Sequence, residues 1–373
     1  MQADTIAVRP ASPKAVRDLS HDPGRWANSL LCQGCADARR CGGIAAKSGN
    51  GYCYDHCCGG KEGCQTVCRN NPLFSDQIRE IGGFDLENTP RAAVVPHPPL
   101  RGVAPLILHG RKRESPVFAP IVALKLRDVV NFRTGQLRHA DRSSLANALK
   151  IRTDAHLIVT GIEQDRFVEP WWSLGRDRRA PLLRELAKLG IALVTPPNFS
   201  LFCDQPRPSD FSAMKRIARV QSEFQAAGIA CSLHAHIRNE TDSARWASFV
   251  AGRPEITSIA YEFTTGAGRE PVRRMQVEHL IRLAKVADRP MDLVLRGDTG
   301  VVTELVGVYR HLVYIDTNAF MKTVNRQKAV RTGNEGLTWK ANKTPKDVPL
   351  DALLQHNVDE VTLAGRQMLT RSV

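Results

Sequence analysis

The chain has 373 residues, of which 42% are hydrophobic, 24% charged and 6% aromatic, and its 52 Lys and Arg against 38 Asp and Glu give a net charge of +14. This composition excludes a disordered chain, a collagen and a disulfide-stapled mini-protein, and the apolar runs are too short to span a bilayer. The positive charge favours a polyanionic partner, most often nucleic acid.

Residues 1–28 form a polar lead-in without the apolar stretch of a secretory signal, so we expect a cytoplasmic protein with no membrane contact. Residues 29–72 form a cysteine-rich module that holds eight of the ten cysteines. Because cytosolic thiols stay reduced and clustered thiolates suit a soft metal, the module predicts a metal centre. Two zinc ions or one iron–sulfur cluster both fit these candidate ligands: Cys32, Cys35, Cys41, Cys53, Cys57, Cys58, Cys64 and Cys68.

After a proline-rich connector at residues 73–105, short apolar runs alternate with helical patterns from residue 106 to the C-terminus. Apolar runs of this length are typical of strands that are covered on both faces. The predicted strands are Pro116–Leu126, Ala155–Ile162, Ile191–Thr195, Ile229–Ile237, Ile256–Phe263, Met291–Arg296 and Leu312–Asp316.

The helical patterns between these strands complete a β–α alternation. Apolar residues at 3–4 spacing predict helices at Ala180–Leu189, Asp210–Ala227, Ser243–Ala251 and Val272–Val286, and a last helix from Pro349. The alternation predicts an α/β fold for residues 106–373, a (β/α)8-type, TIM-like barrel of regular or irregular form, preceded by the small cysteine-rich module. A doubly wound sheet is the alternative, although no Gly-x-Gly-x-x-Gly follows the first strand.

Acidic side chains at the strand ends are the candidate catalytic groups. The functional residues of such barrels lie at the carboxyl ends of the strands, and a carboxylate is costly to bury unless it is paired or used. An ionised carboxylate can attack or stabilise a glycosidic carbon, while a neighbour of raised pKa moves the proton on the leaving base. The candidates are Asp165, Glu262, Asp298 and Asp316.

Further polar and aromatic residues near the same strand ends are candidate substrate-binding groups. His234 and His236 alternate with apolar neighbours and should share one face, and Trp171 offers a surface on which a base can stack. The full set is Trp171, Asn198, His234, His236, Arg296, Asn318 and Lys322.

Basic residues cluster near the C-terminus. Residues 322–346 hold seven basic side chains, one acid, Glu335, and one tryptophan, a combination that suits contact with a single strand or an extruded base. Residues 111–113 form a second basic cluster. The candidate nucleic-acid contacts are Arg111, Lys112, Arg113, Arg326, Lys328, Arg331, Trp339 and Lys340.

The stretch ILHGRKRESPVFAPIV from Ile107 resembles the opening of tRNA-guanine transglycosylases, in which a Thr-Pro-Val-Phe-Met-Pro-Val segment begins the barrel. The stretches VTGIEQDRFVEPWW and VTPPNFSLFCD resemble barrel proteins of phages and mobile elements, some of which are relatives that insert 7-deazaguanine bases into DNA. The resemblance implies base exchange on nucleic acid, with a modified-base precursor as a further partner. The family's Asp-Ser-Gly-Gly-Phe motif and its C-terminal zinc site are absent, so no catalytic Asp is carried over.

We therefore expect a nucleobase-modifying barrel enzyme that exchanges a base at a glycosidic bond. Two other functions stay open on the sequence. One is a non-catalytic nucleic-acid-binding protein of a phage or mobile element, in which the cysteine module and the basic segment bind DNA or RNA. The other is a redox or radical enzyme that depends on an iron–sulfur centre.

Overall fold

The computed structural model describes residues 80–201, 207–264, 268, 270, 272–332, 336–345 and 347–370. The chain divides into two compact units, one of residues 1–80 and 201–212 and the other of residues 81–200 and 213–373. Within the first unit, the structure describes residues 80 and 201 and the start of one helix at residues 207–212. The second unit contains all of the described β-strands.

In the part of the chain that the structure describes, eight parallel strands pair in a cyclic order. They are β1 (Gly102–Pro105), β2 (Ile121–Lys125), β5 (His156–Thr160), β6 (Leu193–Thr195), β7 (Leu233–His234), β8 (Ser258–Phe263), β9 (Asp292–Gly297) and β10 (His311–Asp316). Within one sheet the order is β1-β10-β9-β8-β7, and within another it is β2-β5-β6. A parallel bridge between Leu106 and Ala123 joins β1 to β2, and one between Val194 and Cys231 joins β6 to β7.

Helices connect most successive strands. Because parallel strands need a crossover of this kind, the order matches the predicted β–α alternation. Between strands lie α1 (Leu126–Val129), α2 (Arg142–Leu149), α3 (Asp165–Ser173), α4 (Arg176–Ala187), α5 (Arg207–Ala226), α6 (Glu240–Ala251), α7 (Val272–Ala287), a 3-10 turn (Thr299–Val301), α8 (Val302–Leu305) and α9 (Asn318–Val324). The helix α10 (Asp351–Thr370) follows the last described strand.

Local sequence explains several helix ends. Asp141 accepts a hydrogen bond from the Ser144 N–H before α2, in a reciprocal capping box, and Asn239 caps α6 through the Asp242 N–H. After α4 and α5, Gly190 and Gly228 adopt positive φ values of 64° and 78°. Glycine adopts this left-handed backbone without the penalty that a side chain would bring, and it is therefore common just after a helix.

The core lies where the strands of the ring face one another. Small and branched apolar side chains from all of these strands, or from the residues beside them, pack into one buried cluster. Since side chains alternate along a strand, every second residue belongs to this interior. Its members are Leu100, Ala104, Leu106, Ile121, Ala123, Ile158, Leu193, Ala230, Ala260, Val294, Val313 and Ile315.

Two antiparallel hairpins complete the described fold. The first is short, with β3 (Val130–Asn131) and β4 (Gln136–Leu137). The second lies between α9 and α10 and pairs β11 (Gln327–Thr332) with β12 (Gly336–Ala341). Most of the predicted basic segment, residues 322–346, is therefore the end of α9 and this second hairpin.

The observed strands differ from the predicted ones mainly at their ends. The apolar run Ile229–Ile237 contributes only Leu233–His234 as a regular strand, because the chain turns where the His236 N–H donates to the His234 carbonyl. The proline-rich connector was expected to extend to residue 105, whereas strand β1 begins at Gly102 and pairs with β10. The described part of the chain is thus α/β with parallel sheets.

Candidate functional site

A layer of polar side chains lies one step beyond the core, at the carboxyl ends of the strands. Each member follows a core residue of its own strand by two positions, so by alternation it belongs to the same face of the sheet. We call this set the mouth layer; it consists of Lys125, Thr160, Thr195, Glu262 and Arg296. Two of these residues, Glu262 and Arg296, are among the site residues predicted from the sequence.

The structure brings Glu262 and Arg296 together. They are register partners on β8 and β9, and the Arg296 Nε lies 3.6 Å from the Glu262 Oε1. The Arg296 Nη1 donates a hydrogen bond of 3.1 Å to the Ile162 carbonyl, beyond β5. Both side chains are largely buried, at 17% and 14% exposure, so each charge depends on its partner for stabilisation.

A second charged cluster follows β2 and β5. The Glu163 Oε1 lies 2.7 Å from the Lys125 Nζ and 3.1 Å from the Arg127 Nε. Asn198, a predicted substrate-binding residue, accepts a hydrogen bond of 2.9 Å from the Glu163 N–H. Burial raises the pKa of Asp128, against the opposing effect of Arg127 and Lys125. This group therefore combines a carboxylate paired with two cations and a second one, Asp128, whose pKa is raised by burial.

The site residues predicted from the sequence do not include Lys125, Arg127, Asp128 or Glu163. The signal for Lys125 was available, because it is a charge inside the predicted apolar strand Pro116–Leu126. Glu163 is likewise the first charged residue after the run Ala155–Ile162. Their pairing depends on β2 and β5 being neighbours, which periodicity along one chain does not reveal.

Hydroxyl groups hold the strand ends between these charges. The Thr195 Oγ1 donates a hydrogen bond of 2.9 Å to the Thr160 Oγ1, which also accepts from the Ile162 N–H at 3.2 Å. At Gly161 an added Cβ would lie 2.6 Å from the Pro197 nitrogen. The close approach of these two loops therefore requires glycine at this position.

The other three candidate carboxylates are engaged at the starts of helical segments. The Asp165 Oδ1 accepts 2.7 Å from the Ser200 hydroxyl at the start of α3. Asp298 caps the 3-10 turn and pairs with the Arg273 Nε at 2.9 Å. Asp316 accepts from the N–H groups of the first turn of α9, including 2.7 Å from Ala319. Asp298 and Asp316 therefore act as helix caps, whereas Asp165 is held by the side chain of Ser200.

Asp316 lies on the opposite face of β10 from the core, because it directly follows the core residue Ile315. Burial raises the pKa of Asp316, while the hydrogen bonds from the α9 backbone lower it. The nearby Tyr314 hydroxyl donates 2.6 Å to the Gly297 carbonyl. Burial raises the pKa of Tyr314, and the charges of Asp316 and Asp298 raise it further.

Trp171, expected to stack on a base, is packed in the interior. Its ring is fully buried, stacks on Phe224 at a ring-centre distance of 5.5 Å and meets the edge of Phe132 at 5.7 Å. The structure therefore gives Trp171 a packing role. Asn318 is the first residue of α9, and its backbone N–H donates to Asp316 at 3.2 Å.

His234 and His236 lie side by side, with ring centres 3.9 Å apart. Burial lowers the pKa of His236 to about 4, and burial together with the charge of His236 holds the pKa of His234 well below its usual value. Within the described part of the chain, both ring nitrogens of His234 and the Nε2 of His236 are buried without a hydrogen-bond partner. An unpaired buried polar atom costs about 1–3 kcal/mol.

The hairpin of β11 and β12 presents basic side chains. Lys328 lies directly opposite Lys340 in the antiparallel register, and both are exposed. The Lys322 ammonium lies 5.8 Å from the ring centre of the half-buried Trp339. Like charges placed opposite one another destabilise a hairpin. The stability of the hairpin therefore does not explain why lysines occupy both positions.

Two arginines of the predicted basic surface have structural contacts. The Arg326 Nη1 donates to the Thr344 and Pro345 carbonyls at 2.7 and 2.8 Å. Arg331 forms an ion pair of 2.6 Å with Glu360. These contacts join the hairpin to the residues that follow it and to α10.

Arg113 is buried, whereas Arg111 and Lys112 beside it are exposed. The Arg113 guanidinium donates to the Leu149 and Lys150 carbonyls. Burial lowers the pKa of Arg113 to about 10. The structure thus gives this arginine a role in holding the loop, and leaves its two neighbours on the surface.

The eight predicted metal-ligating cysteines, Cys32 to Cys68, lie outside the described residues. Among the residues that the structure does describe, no group of three or more His, Cys, Asp and Glu side chains is placed to hold a metal ion. No described helix has the length and apolar character of a membrane span.

No protein-family model and no curated protein matches the chain. Among solved structures, one similar chain is described as a "putative lyase/mutase from Burkholderia cenocepacia J2315". It shares 15% sequence identity, and the match covers 67% of this chain and 88% of that one with a TM-score of 0.33.

Proposed function

We propose that the chain is a nucleobase-exchanging enzyme that acts on nucleic acid, with its site at the open end of a (β/α)8-type barrel. The cyclic pairing of eight parallel strands, closed by two bridges, supports the barrel. The observation that carries the function is the Glu262–Arg296 pair in the mouth layer. It is a carboxylate near the end of a strand that is paired with a cation, yet only at a distance of 3.6 Å.

Glu262 is better suited than Glu163 to act on the glycosidic carbon. Glu163 is held by two cations at 2.7 and 3.1 Å, which ties up its charge. Glu262 has one ion-pair partner among the described residues, and the longer distance leaves its oxygens more available. Arg296, itself positioned by its hydrogen bond to the Ile162 carbonyl, places a positive charge beside the carboxylate.

Asp128 is the proposed proton carrier, because burial raises its pKa. In the first half-reaction Glu262 forms a bond to the sugar C1′, the glycosidic C–N bond breaks, and Asp128 gives its proton to the departing base. In the second, a nitrogen of the incoming base attacks C1′, the ester bond to Glu262 breaks, and Asp128 takes back a proton. The exchange is balanced without an oxidant or reductant.

The basic hairpin supports nucleic acid as the partner. The exposed Lys328 and Lys340, together with Lys322 above Trp339, offer phosphate contacts beside an aromatic ring. The same surface would serve a protein that binds nucleic acid without modifying it. A measurement of base incorporation distinguishes base exchange from binding without modification.

The decisive experiment measures incorporation of labelled free bases into DNA and RNA by the full-length protein, with nucleoside mass spectrometry as the readout. We expect Glu262→Gln to abolish incorporation and Asp128→Asn to slow it by about 10²–10⁴-fold. Glu185→Gln, at an exposed carboxylate on α4, is the matched control and should retain full rate. Unchanged incorporation in Glu262→Gln would overturn the assignment, and binding without incorporation would favour the non-catalytic protein.

The cysteine module is proposed, on its sequence, to hold zinc or an iron–sulfur cluster. Metal analysis with a visible spectrum on anaerobically purified protein separates these alternatives. A brown protein with absorbance near 400 nm would favour the redox or radical enzyme. A colourless protein that contains zinc would leave base exchange as the simpler function.

A further inference from the structure

One face of the hairpin of β11 and β12 is held against α10. Ala329 on β11 is 2% exposed, and Arg331, on the same face, forms its ion pair of 2.6 Å with Glu360 of α10. The fully buried Asn357 of α10 bonds to the hairpin backbone: it accepts 2.8 Å from the Ala329 N–H and donates 2.8 Å to the Gln327 carbonyl. The last helix therefore fixes the position of this hairpin.

The opposite face of the hairpin is open to solvent. Because side chains alternate along a strand, the residues between and beside Ala329 and Arg331 point away from α10. We name this side of the hairpin the ribbon face. It consists of three cross-strand pairs, Lys328 with Lys340, Val330 with Thr338, and Thr332 with Gly336. Both lysines and both threonines are exposed.

The chemistry of the ribbon face changes along its length. The two lysines occupy one end and place two positive charges there. The other two pairs hold only short side chains, so the backbone can approach a binding partner closely. The hydroxyl groups of Thr332 and Thr338 can each donate or accept a hydrogen bond, and Val330 offers an apolar contact between them. The ribbon face has no acidic residue, and its charge is complementary to a polyanion.

The ribbon face also lacks an aromatic ring. Trp339 is the register partner of Ala329 and so belongs to the side that faces α10. Proteins that bind a single strand stack its unpaired bases on aromatic side chains. A duplex keeps its bases stacked on one another and presents phosphates and base edges instead. The residues of the ribbon face therefore favour a duplex over a single strand.

The dimensions of the hairpin distinguish between the two kinds of duplex. Each strand has six residues, which makes a ribbon about 20 Å long with its two strands about 5 Å apart. The major groove of B-form DNA is about 12 Å wide and admits a two-stranded ribbon of this kind. The major groove of an A-form RNA duplex is too deep and narrow for side chains to read.

We infer that the ribbon face binds in the major groove of duplex DNA, with Lys328 and Lys340 on the phosphates and the shorter side chains against the base edges. This inference rests on nucleic acid being the partner in the proposed function, and it narrows that partner to DNA in its duplex form. An enzyme that acts on a base takes the base out of the stack. Binding through the ribbon face would hold the surrounding duplex while the base leaves it.

The test compares the affinity of the full-length protein for one sequence in three forms: duplex DNA, duplex RNA and single-stranded DNA. Fluorescence anisotropy at a fixed salt concentration measures each affinity. We expect duplex DNA to bind about tenfold more tightly than the other two forms, or better. Thr338→Phe places a bulky, uncharged side chain at the centre of the ribbon face. It should weaken binding to duplex DNA about fivefold or more without a change in net charge.

Thr153→Phe is the matched control, because it makes the same substitution at an exposed residue of the loop before β5. Its affinity for duplex DNA should equal that of the wild type. Dye displacement identifies the groove: the wild-type protein should displace methyl green, which occupies the major groove, and leave netropsin, which occupies the minor groove. Thermal melts check that each variant is folded, and if Thr338→Phe is not, Thr332→Phe takes its place in the test.

Three results would overturn the inference: single-stranded DNA or duplex RNA binding as tightly as duplex DNA, wild-type affinity in the phenylalanine variant of the ribbon face, or displacement of netropsin instead of methyl green. This inference and base exchange fail separately. Duplex binding that depends on the ribbon face, without incorporation of labelled bases, keeps the DNA site and rejects base exchange. Incorporation that depends on Glu262, with duplex affinity unaltered in Thr338→Phe, keeps base exchange and rejects the DNA site.

Discussion

At the end of β10, the buried carboxylate of Asp316 closes the first turn of α9. It is 2% exposed and accepts hydrogen bonds from the Asn318 and Ala319 N–H groups. Burial raises its pKa, and the two backbone donors oppose that shift. The position of Asp316 after a strand suggests a catalytic acid, and its raised pKa would suit that role. Its hydrogen-bond partners, however, are those of a helix cap.

This difference gives a prediction about stability. Asp316→Ala should lower the free energy of unfolding by about 1–2 kcal/mol, because α9 loses the acceptor for its first N–H groups. Asp316→Asn, which keeps one acceptor oxygen, should lose less. Urea denaturation measures both values. If Asp316→Asn abolished base incorporation while the unfolding midpoint stayed the same, the structural role assigned to Asp316 would be wrong.

Which carboxylates are free could not be predicted from the sequence. Asp165, Glu262, Asp298 and Asp316 all follow predicted strands, and their order along the chain does not distinguish them. The distinction depends on tertiary contacts, such as the Ser200 hydroxyl at Asp165 and the Arg273 guanidinium at Asp298. Only alternation from the core residue Ala260 places Glu262 on the interior face.

Among the elements, the hairpin of β11 and β12 has the clearest conflict between stability and function. Lys328 and Lys340 are directly opposite each other and exposed. Repulsion between these two lysines opposes folding, and an oppositely charged pair at the same positions would make the hairpin more stable. A bound polyanion would convert the repulsion into binding energy.

Reversing the charge of Lys328 should therefore make the hairpin more stable and its binding to nucleic acid weaker. Lys328→Glu should raise the stability by about 0.2–1 kcal/mol, since it creates an opposite-charge pair with Lys340. The same change should weaken nucleic-acid binding and reduce the slope of log K against log salt by about one. Fluorescence anisotropy of a labelled oligonucleotide over a salt series measures the slope.

Lys188→Glu, with the same change in net charge on an exposed residue of α4, controls for overall charge. It should reduce the affinity less than Lys328→Glu does. Equal effects of the two substitutions would show that the hairpin has no special part in binding.

Long helices with a regular spacing of apolar residues could be predicted from the sequence, whereas a strand of only four residues could not. The helices predicted at Asp210–Ala227 and Val272–Val286 match Arg207–Ala226 and Val272–Ala287 closely, because apolar residues at 3–4 spacing mark a buried face. Strand β1 was missed because its four residues follow a run of prolines, and it is defined by pairing with β10 rather than by propensity.

On the scale of the whole molecule, ring closure depends on long-range pairing. The cyclic order needs the bridges from Leu106 to Ala123 and from Val194 to Cys231. Neither bridge has a local sequence signal, so alternation of strands and helices predicts parallel sheets without fixing how they close. The same closure brings Arg296 on β9 to the Ile162 carbonyl beyond β5, and thereby assembles the mouth layer.

Three histidines whose pKa values are lowered should make the folded protein sensitive to acid. Burial lowers the pKa of His236 to about 4 and that of His279 to about 3, and it holds the pKa of His234 well below its usual value. Since the unfolded chain takes up these protons near pH 6.5, their contribution to stability is complete above pH 6.5 and declines as the pH falls towards 4. Each histidine weakens folding by about 1.4 kcal/mol per pH unit across this range.

Urea unfolding at pH 7, 6 and 5 should therefore show a stability loss that steepens below pH 6.5. His279→Gln keeps a polar group between Ser243 and the Ala235 carbonyl but removes the proton site, so its stability curve should be shallower by about one proton. His156→Gln, at an exposed site, should follow the wild-type curve. A His279→Gln slope equal to that of the wild type would mean that His279 is protonated in the folded state, and would contradict its burial as a neutral group.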